Sequence, residues 1–411
     1  MSDPAGERIA TLDLVRGVAV LGILLMNIVA FAMPEAAYYN PAAFGAPTRL
    51  DYGVWAANAV LVDGRMRGLF SVLFGASLLL VADRAEASGR SAALVHYRRM
   101  AWLFVFGIAH LFLVWWGDIL HHYAIVGCVA FAFRRWPTRQ LLLFAALLVM
   151  AETLWSAGLP LAVAQAEAAT RVAHPSPAAL ADYRQFADAF GIPSPAATAR
   201  ELAGHRGSYL EVFRHRWPEA LVIPWRTLTF VGPETLAYML IGMAMLRSGL
   251  LAGTWPRRTY ARWALVCFAL ALPGYGALVG WTWASGFALV PLTLAGLVLS
   301  APLRPVMIVG WACVVILAAR SGGRLTTRLE AAGRMAFTNY LATSLICTTI
   351  FYGYGLGWYG HLSRAALYLV VLALWAAMLA WSRPWLARFR YGPLEWAWRS
   401  LARWQWQPMR A

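Results

Sequence analysis

Residues 11–27 read Thr11-Leu-Asp13-Leu-Val-Arg16-Gly17-Val-Ala-Val-Leu-Gly-Ile-Leu-Leu-Met-Asn27. A guanidinium, a carboxylate and a carboxamide sit in a run otherwise built for lipid, where each charge costs about 2.5 kcal/mol or more. Asp13 and Arg16 stand three residues apart and pair across one helical turn. Arg16 and Asn27 are eleven apart, which returns to nearly the same helical face about 16 Å further along the axis. The run reads as a first membrane helix that is polar at both ends of one face, and as a retained anchor rather than a signal peptide.

Working outward, hydrophobic residues make up 61% of the 411-residue chain and charged residues 13%, which excludes a soluble domain of this size. The fold class is all-α: a polytopic membrane helical bundle forming a single integral domain over 1–411. Apolar runs predict spans near 12–33, 68–82, 101–117, 119–133, 140–162, 227–246, 263–283, 286–301, 305–319, 335–355 and 364–382. About ten cross, nine at fewest and eleven at most, because 286–301 and 305–319 are split only by Pro302-Leu-Arg304-Pro305 and read together as a broken or re-entrant segment.

The net charge of +16 comes with no lysine, since all 35 basic residues are arginines. Clustering between spans explains them as cytoplasmic loop residues, so no nucleic-acid partner is expected, and lysine-based covalent chemistry is excluded. Placing the loop 83–100 inside, with Arg84, Arg90, Arg98 and Arg99, puts the N-terminus and the basic tail 383–411 in the cytoplasm of a bacterial inner membrane. The polar stretch 164–216 is then an extracytoplasmic insert. Cys128, Cys267, Cys313 and Cys347 lie in apolar runs without paired spacing and read as core residues, and no metal site is expected. The partner is the bilayer, and Trp-rich helix surfaces suit lipid and subunit contacts alike.

Polar residues inside or at the mouths of spans carry the candidate chemistry, and their number predicts a hydrated cavity. Arg65 and Arg67 are two apart and point to different sides of a helix, suited either to snorkelling or to clamping an anion. His110 lies mid-span as a candidate general base. Asp118 with either of the adjacent His121 and His122 makes an orienting acid and base pair. Glu234 follows Pro233 and is a second candidate base or proton carrier. Glu152, Arg226, Arg334 and Asn339 complete the set.

The quoted first run, extended back to Arg8, resembles the opening of the YeiB-like family of bacterial inner-membrane proteins. The likeness continues through Arg67-Gly-Leu-Phe-Ser-Val-Leu-Phe-Gly75, His110, Gly117-Asp118-Ile-Leu, Gly232-Pro-Glu234, Gly333-Arg334-Met-Ala-Phe-Thr-Asn339-Tyr340 and Tyr391-Gly-Pro-Leu-Glu395-Trp396, covering nearly the whole chain. That family is more distantly similar to transmembrane acyltransferases, among them glycan O-acetylases and heparan-glucosaminide N-acetyltransferase. The resemblance implies an acyltransferase-like bundle that uses cytoplasmic acyl-coenzyme A, acetyl-coenzyme A in the first instance, to modify a small-molecule or glycan acceptor outside. O-acetylases carry a histidine eleven residues after the arginine, where this chain has Asn27; the heparan enzyme has its histidine in the outer loop, and 34–54 here contains none. Either the base role falls to His110, His121 or His122, or acyl transfer is not the activity.

Three readings result. In an acyltransferase, Arg16, Arg65, Arg67, Arg98 and Arg99 hold the acyl-coenzyme A, His110, Glu234 and Asp118 act on the reacting groups, and Asp13, Asn27, His121, His122, Arg334 and Asn339 bind substrate. In a transporter for an anionic metabolite, the same arginines bind the anion and Glu234 or Glu152 carries the proton. In a structural membrane protein the polar residues only lock helices together.

Overall fold

A computed structural model describes residues 9–320 and 322–410, and all its regular elements there are helices. Arg8 lies outside the described residues. In chain order come α1 (Ala10–Ala32), the short α2 (Ala36–Tyr39), α3 (Arg49–Leu61), α4 (Arg65–Ala87), α5 (Ala92–Leu113) and α6 (Leu120–Ala130). There follow α7 (Thr138–Ser156), α8 (Gly158–Thr170), α9 (Pro177–Phe190), α10 (Pro195–Arg206), α11 (Tyr209–Arg247) and α12 (Arg257–Ala284). The remainder is α13 (Leu289–Thr293), α14 (Leu303–Ala318), α15 (Arg324–Arg334), α16 (Ala336–Phe351), α17 (Arg364–Arg388) and α18 (Pro393–Arg403).

Starts and stops follow local chemistry. Thr48 with Asp51 and Ser208 with Glu211 form capping boxes at α3 and α11, and Ser-Pro pairs open α9 and α10. Gly64, in the left-handed region at φ 71°, separates α3 from α4. A short π-helical turn at Leu294–Leu299 follows α13, and the chain bends by 58° before α14, which is the break expected at Pro302–Pro305.

Six helical stretches among the described residues are long and apolar enough to cross a membrane: α1, α3 with α4, α7 with α8, α11, α12 and α17; the bent pair α13–α14 makes a seventh. The spans expected at 101–117, 119–133 and 335–355 are not among these: α5 covers the first, and Leu120–Phe133 and α16 are shorter apolar helices. The insert 164–216 holds α9 and α10, and α11 begins at Tyr209 rather than near 227. α11 is 39 residues long and keeps Pro218, Pro224 and Pro233 within it.

α1 is the central post, packed by α4, α14, α15, α16 and α17. α4 lies against α11 so closely that a Cβ on Gly242 or Gly75 would collide with the backbone of Val72 or Met239. α5 and α6 form a hairpin whose tip, 114–119, is covered by α11: Arg216 donates to the Val114 carbonyl at 3.0 Å and Tyr209 to that of Leu113 at 2.7 Å.

Candidate functional site

The break at Gly64 turns the chain so that Arg65 and Arg67 leave the start of α4 on different sides. Arg65 is buried and donates to the backbone carbonyls of Asp63 and Ala59, with its guanidinium 3.6 Å from the Tyr275 ring centre. Those carbonyls belong to the α3–α4 break, so Arg65 ties the break together. Arg67 instead donates to Glu234 on α11. Arg304, at the start of α14, reaches the same carboxylate at 2.8 Å, and the Tyr238 hydroxyl donates to it at 2.7 Å. Both Glu234 oxygens are thereby engaged, and a carboxylate held by two guanidiniums is a fixed anion rather than a free base.

This triad borders a cavity of about 640 Å³ that Asn27, Arg226, Glu152 and Glu35 also line. Glu152 accepts from Ser156 at 3.3 Å through one oxygen, while the other is buried with no hydrogen-bond partner among the described residues. Glu35 lies just beyond α1, and burial, with Glu219 nearby, pushes its carboxyl up to about 7 despite the opposing pull of Arg226.

Behind the cavity wall formed by Trp116, Gly117 and Ile119 sits a second polar centre at the hairpin tip. His110 Nδ1 donates to Asp118 Oδ2 at 2.7 Å, and His121 donates to Oδ1 from Nδ1 at 2.8 Å and from its backbone N–H at 3.0 Å. All three side chains are buried, and Nε2 of each imidazole has no hydrogen-bond partner among the described residues. With the carboxylate fixing the proton on Nδ1, each Nε2 is the basic nitrogen. Gly107 makes this possible, because a Cβ there would strike the backbone of His121. The Tyr340 ring stands 5.5 Å from that of His110 and lines the cavity as well, so it adjoins both centres. His122 points away, to Thr235 at 3.0 Å.

The remaining candidates lie elsewhere. Arg16 donates to Asp13 at 3.0 Å and to Ser77 at 2.8 Å. Ser77 is ten residues along α4 from Arg67, about 15 Å, so the five arginines expected to act together divide between two ends. Arg99 stacks on Trp398 near the Arg16 end, Arg98 is exposed, and Arg334 donates to the Arg390 carbonyl at 3.3 Å. Asn339 is a structural tie: it donates to Ala332 at 3.0 Å and Ser382 at 3.3 Å and accepts from Trp381 at 2.8 Å. Sequence reasoning missed Arg304 and Glu35; an arginine between two prolines at a helix break was the available signal for the first. No cluster of three or more metal-ligating side chains suited to a metal ion is found among the described residues.

A helical membrane protein with a charged cavity and a buried His–Asp–His centre is the class these observations define. A family profile described as "protein of unknown function (DUF418)" matches residues 245–405. The chain is 33% identical to the uncharacterized protein YeiB of Escherichia coli (strain K12) over 402 residues, 96% of each chain. It is 30% identical to the uncharacterized protein YxaH of Bacillus subtilis (strain 168), over 98% of this chain and 96% of that one. A 39.9 kDa uncharacterized protein of Bacillus acidopullulyticus is 26% identical over 96% of this chain and 94% of its own. The chain belongs to the YeiB-like, DUF418 family. No solved structure matches it.

Proposed function

We propose that this protein is an inner-membrane acyltransferase that moves an acyl group from cytoplasmic acyl-coenzyme A to an acceptor in the cavity beyond the end of α1. The observation that carries the reading is the His110–Asp118 bond with its unpartnered, buried Nε2, directly behind the wall of that cavity. His110 Nε2 takes the proton of an acceptor hydroxyl as its oxygen attacks the thioester carbonyl. As the C–S bond breaks, the imidazolium returns that proton to the leaving thiolate, so an ester and free coenzyme A result. Asp118 holds the ring and stabilises the imidazolium, and His121 holds Asp118. Glu234 is excluded as base by its two guanidinium partners. Arg16, Arg98 and Arg99 attract the donor's phosphates.

Adding α5, α6 and α16 to the six long helices and the bent pair gives ten crossings, an acyltransferase-like bundle with both termini in the cytoplasm. The reading is tested by hydrolysis of millimolar acetyl-coenzyme A by protein in nanodiscs. His110→Ala is expected to cut the rate at least about a hundredfold, as loss of a general base does. Asp118→Asn falls between wild type and His110→Ala. No hydrolysis by wild type, or an unaffected His110→Ala, rejects the proposal.

A transporter reading has one specific support: the bent pair α13–α14 delivers Arg304 to the cavity, as broken helices deliver charge in transporters. Glu152, with its unpartnered oxygen, is then the proton carrier. Counterflow of an organic anion in proteoliposomes, abolished by Glu152→Gln and unaffected by His110→Ala, would select this reading.

A further inference from the structure

The C-terminal helix α18 does more than end the chain. Glu395 accepts from the backbone N–H groups of Phe337 and Thr338, at 2.8 and 3.1 Å, and from the Thr338 hydroxyl at 2.5 Å, so α18 is pinned to the start of α16. Trp398 donates to the Arg99 carbonyl at 2.9 Å and lies 4.2 Å beneath that residue's guanidinium. The next residue, Arg399, packs over Tyr391 at 4.7 Å, and its Nε is buried with no hydrogen-bond partner among the described residues. Arg403 follows one turn later on the same face. Arg99 and Arg399 both lie within electrostatic reach of Arg16 on α1 and of Arg403.

Four guanidiniums from α1, α5 and α18 therefore lie near one another, Arg99 repelled by the other three and Arg399 by Arg16 and Arg403. Nearby acid is committed: Asp13 accepts from Arg16, and Glu395 caps α16. Such an arrangement is costly in an empty protein and favourable around a multiply charged anion, for which stacked, forked guanidiniums are suited.

We propose that Arg16, Arg99, Arg399 and Arg403 form a binding site for a phosphate-bearing ligand, and that α18 completes it. The site takes clustered phosphate, carried either by a soluble nucleotide such as the donor of the proposed reaction or by a phospholipid headgroup. The inference deepens the acyl-transfer reading by adding two tail arginines to the donor site, but its test needs no acyl group.

The probe is adenosine 3′,5′-bisphosphate, measured by equilibrium dialysis against the full-length protein in phosphatidylcholine nanodiscs. Wild type is expected to bind it, and the double variant Arg399→Gln/Arg403→Gln to bind about tenfold more weakly or worse. Arg388→Gln, an exposed change on the same tail, should have no effect. His110→Ala should also bind normally, which separates failure of the site from failure of the chemistry. Phosphatidylglycerol in the nanodisc that competes with the nucleotide in wild type, and loses its effect in the double variant, assigns the same site to a headgroup. All proteins compared must show the wild-type unfolding midpoint. A wild type that binds neither the nucleotide nor phosphatidylglycerol, a double variant that binds like wild type, or an equal loss in Arg388→Gln, overturns the proposal.

Discussion

Glu35 sets a pH dependence that belongs to one residue. Its carboxyl is raised from 4.5 to about 7, chiefly by burial. Between those values the folded protein holds a proton that the unfolded chain has released, so stability falls as pH rises through that window. Glu35→Gln should flatten the slope and be more stable than wild type above pH 7; thermal unfolding midpoints across pH measure this, and parallel curves would refute it. Residue-scale pairings were legible only where a helix sets the spacing. Asp13 and Arg16, three apart, could be read directly, whereas Glu234 and Arg304 are seventy apart and meet only after α14 has turned back. His110 and Asp118 are joined by a hairpin tip, so composition named both residues but no periodicity joined them.

At the scale of elements, close helix approach places the side chains. α4 and α11 meet through Gly75 and Gly242, which brings Arg67 level with Glu234. Gly242→Val should cost about 1–3 kcal/mol from overpacking, lowering the yield of monodisperse protein and its unfolding midpoint. Gly276→Ala, where nothing lies within 4 Å, serves as the control and should change neither. Hydropathy found most of the long helices, because a long apolar run has few alternatives to a membrane-crossing helix. It did not separate the runs at 119–133 and 335–355, which form shorter helices than the others, because a short helix enclosed by others and a full span carry the same residues. It also hid the start of α11, whose first turns at Tyr209 are polar and sit over the α5–α6 tip.

For the whole molecule, the arginine distribution predicts that the loop near Arg90 and the tail beyond α18 share one side of the membrane while α9 and α10 lie on the other. Reporter fusions should give green fluorescence at the tail and alkaline phosphatase activity within 171–194; the reverse would invert the proposed direction of transfer. The membrane class was plain from composition, because 61% hydrophobic residues leave no soluble arrangement for 411 residues. The division of labour was not, since the tail arginines looked like ordinary loop charge until α18 folded back on α5. The account's central claim is that His110, held by Asp118, is the base for transfer of an acyl group from a donor whose phosphates sit at the start of α1 to an acceptor in the cavity at its far end. The most direct measurement supplies radiolabelled acetyl-coenzyme A to the tail side of sealed vesicles and follows label in acceptor recovered from the other side. The account predicts label there with wild type and none with His110→Ala; label that is absent from both, or equal in both, would contradict it.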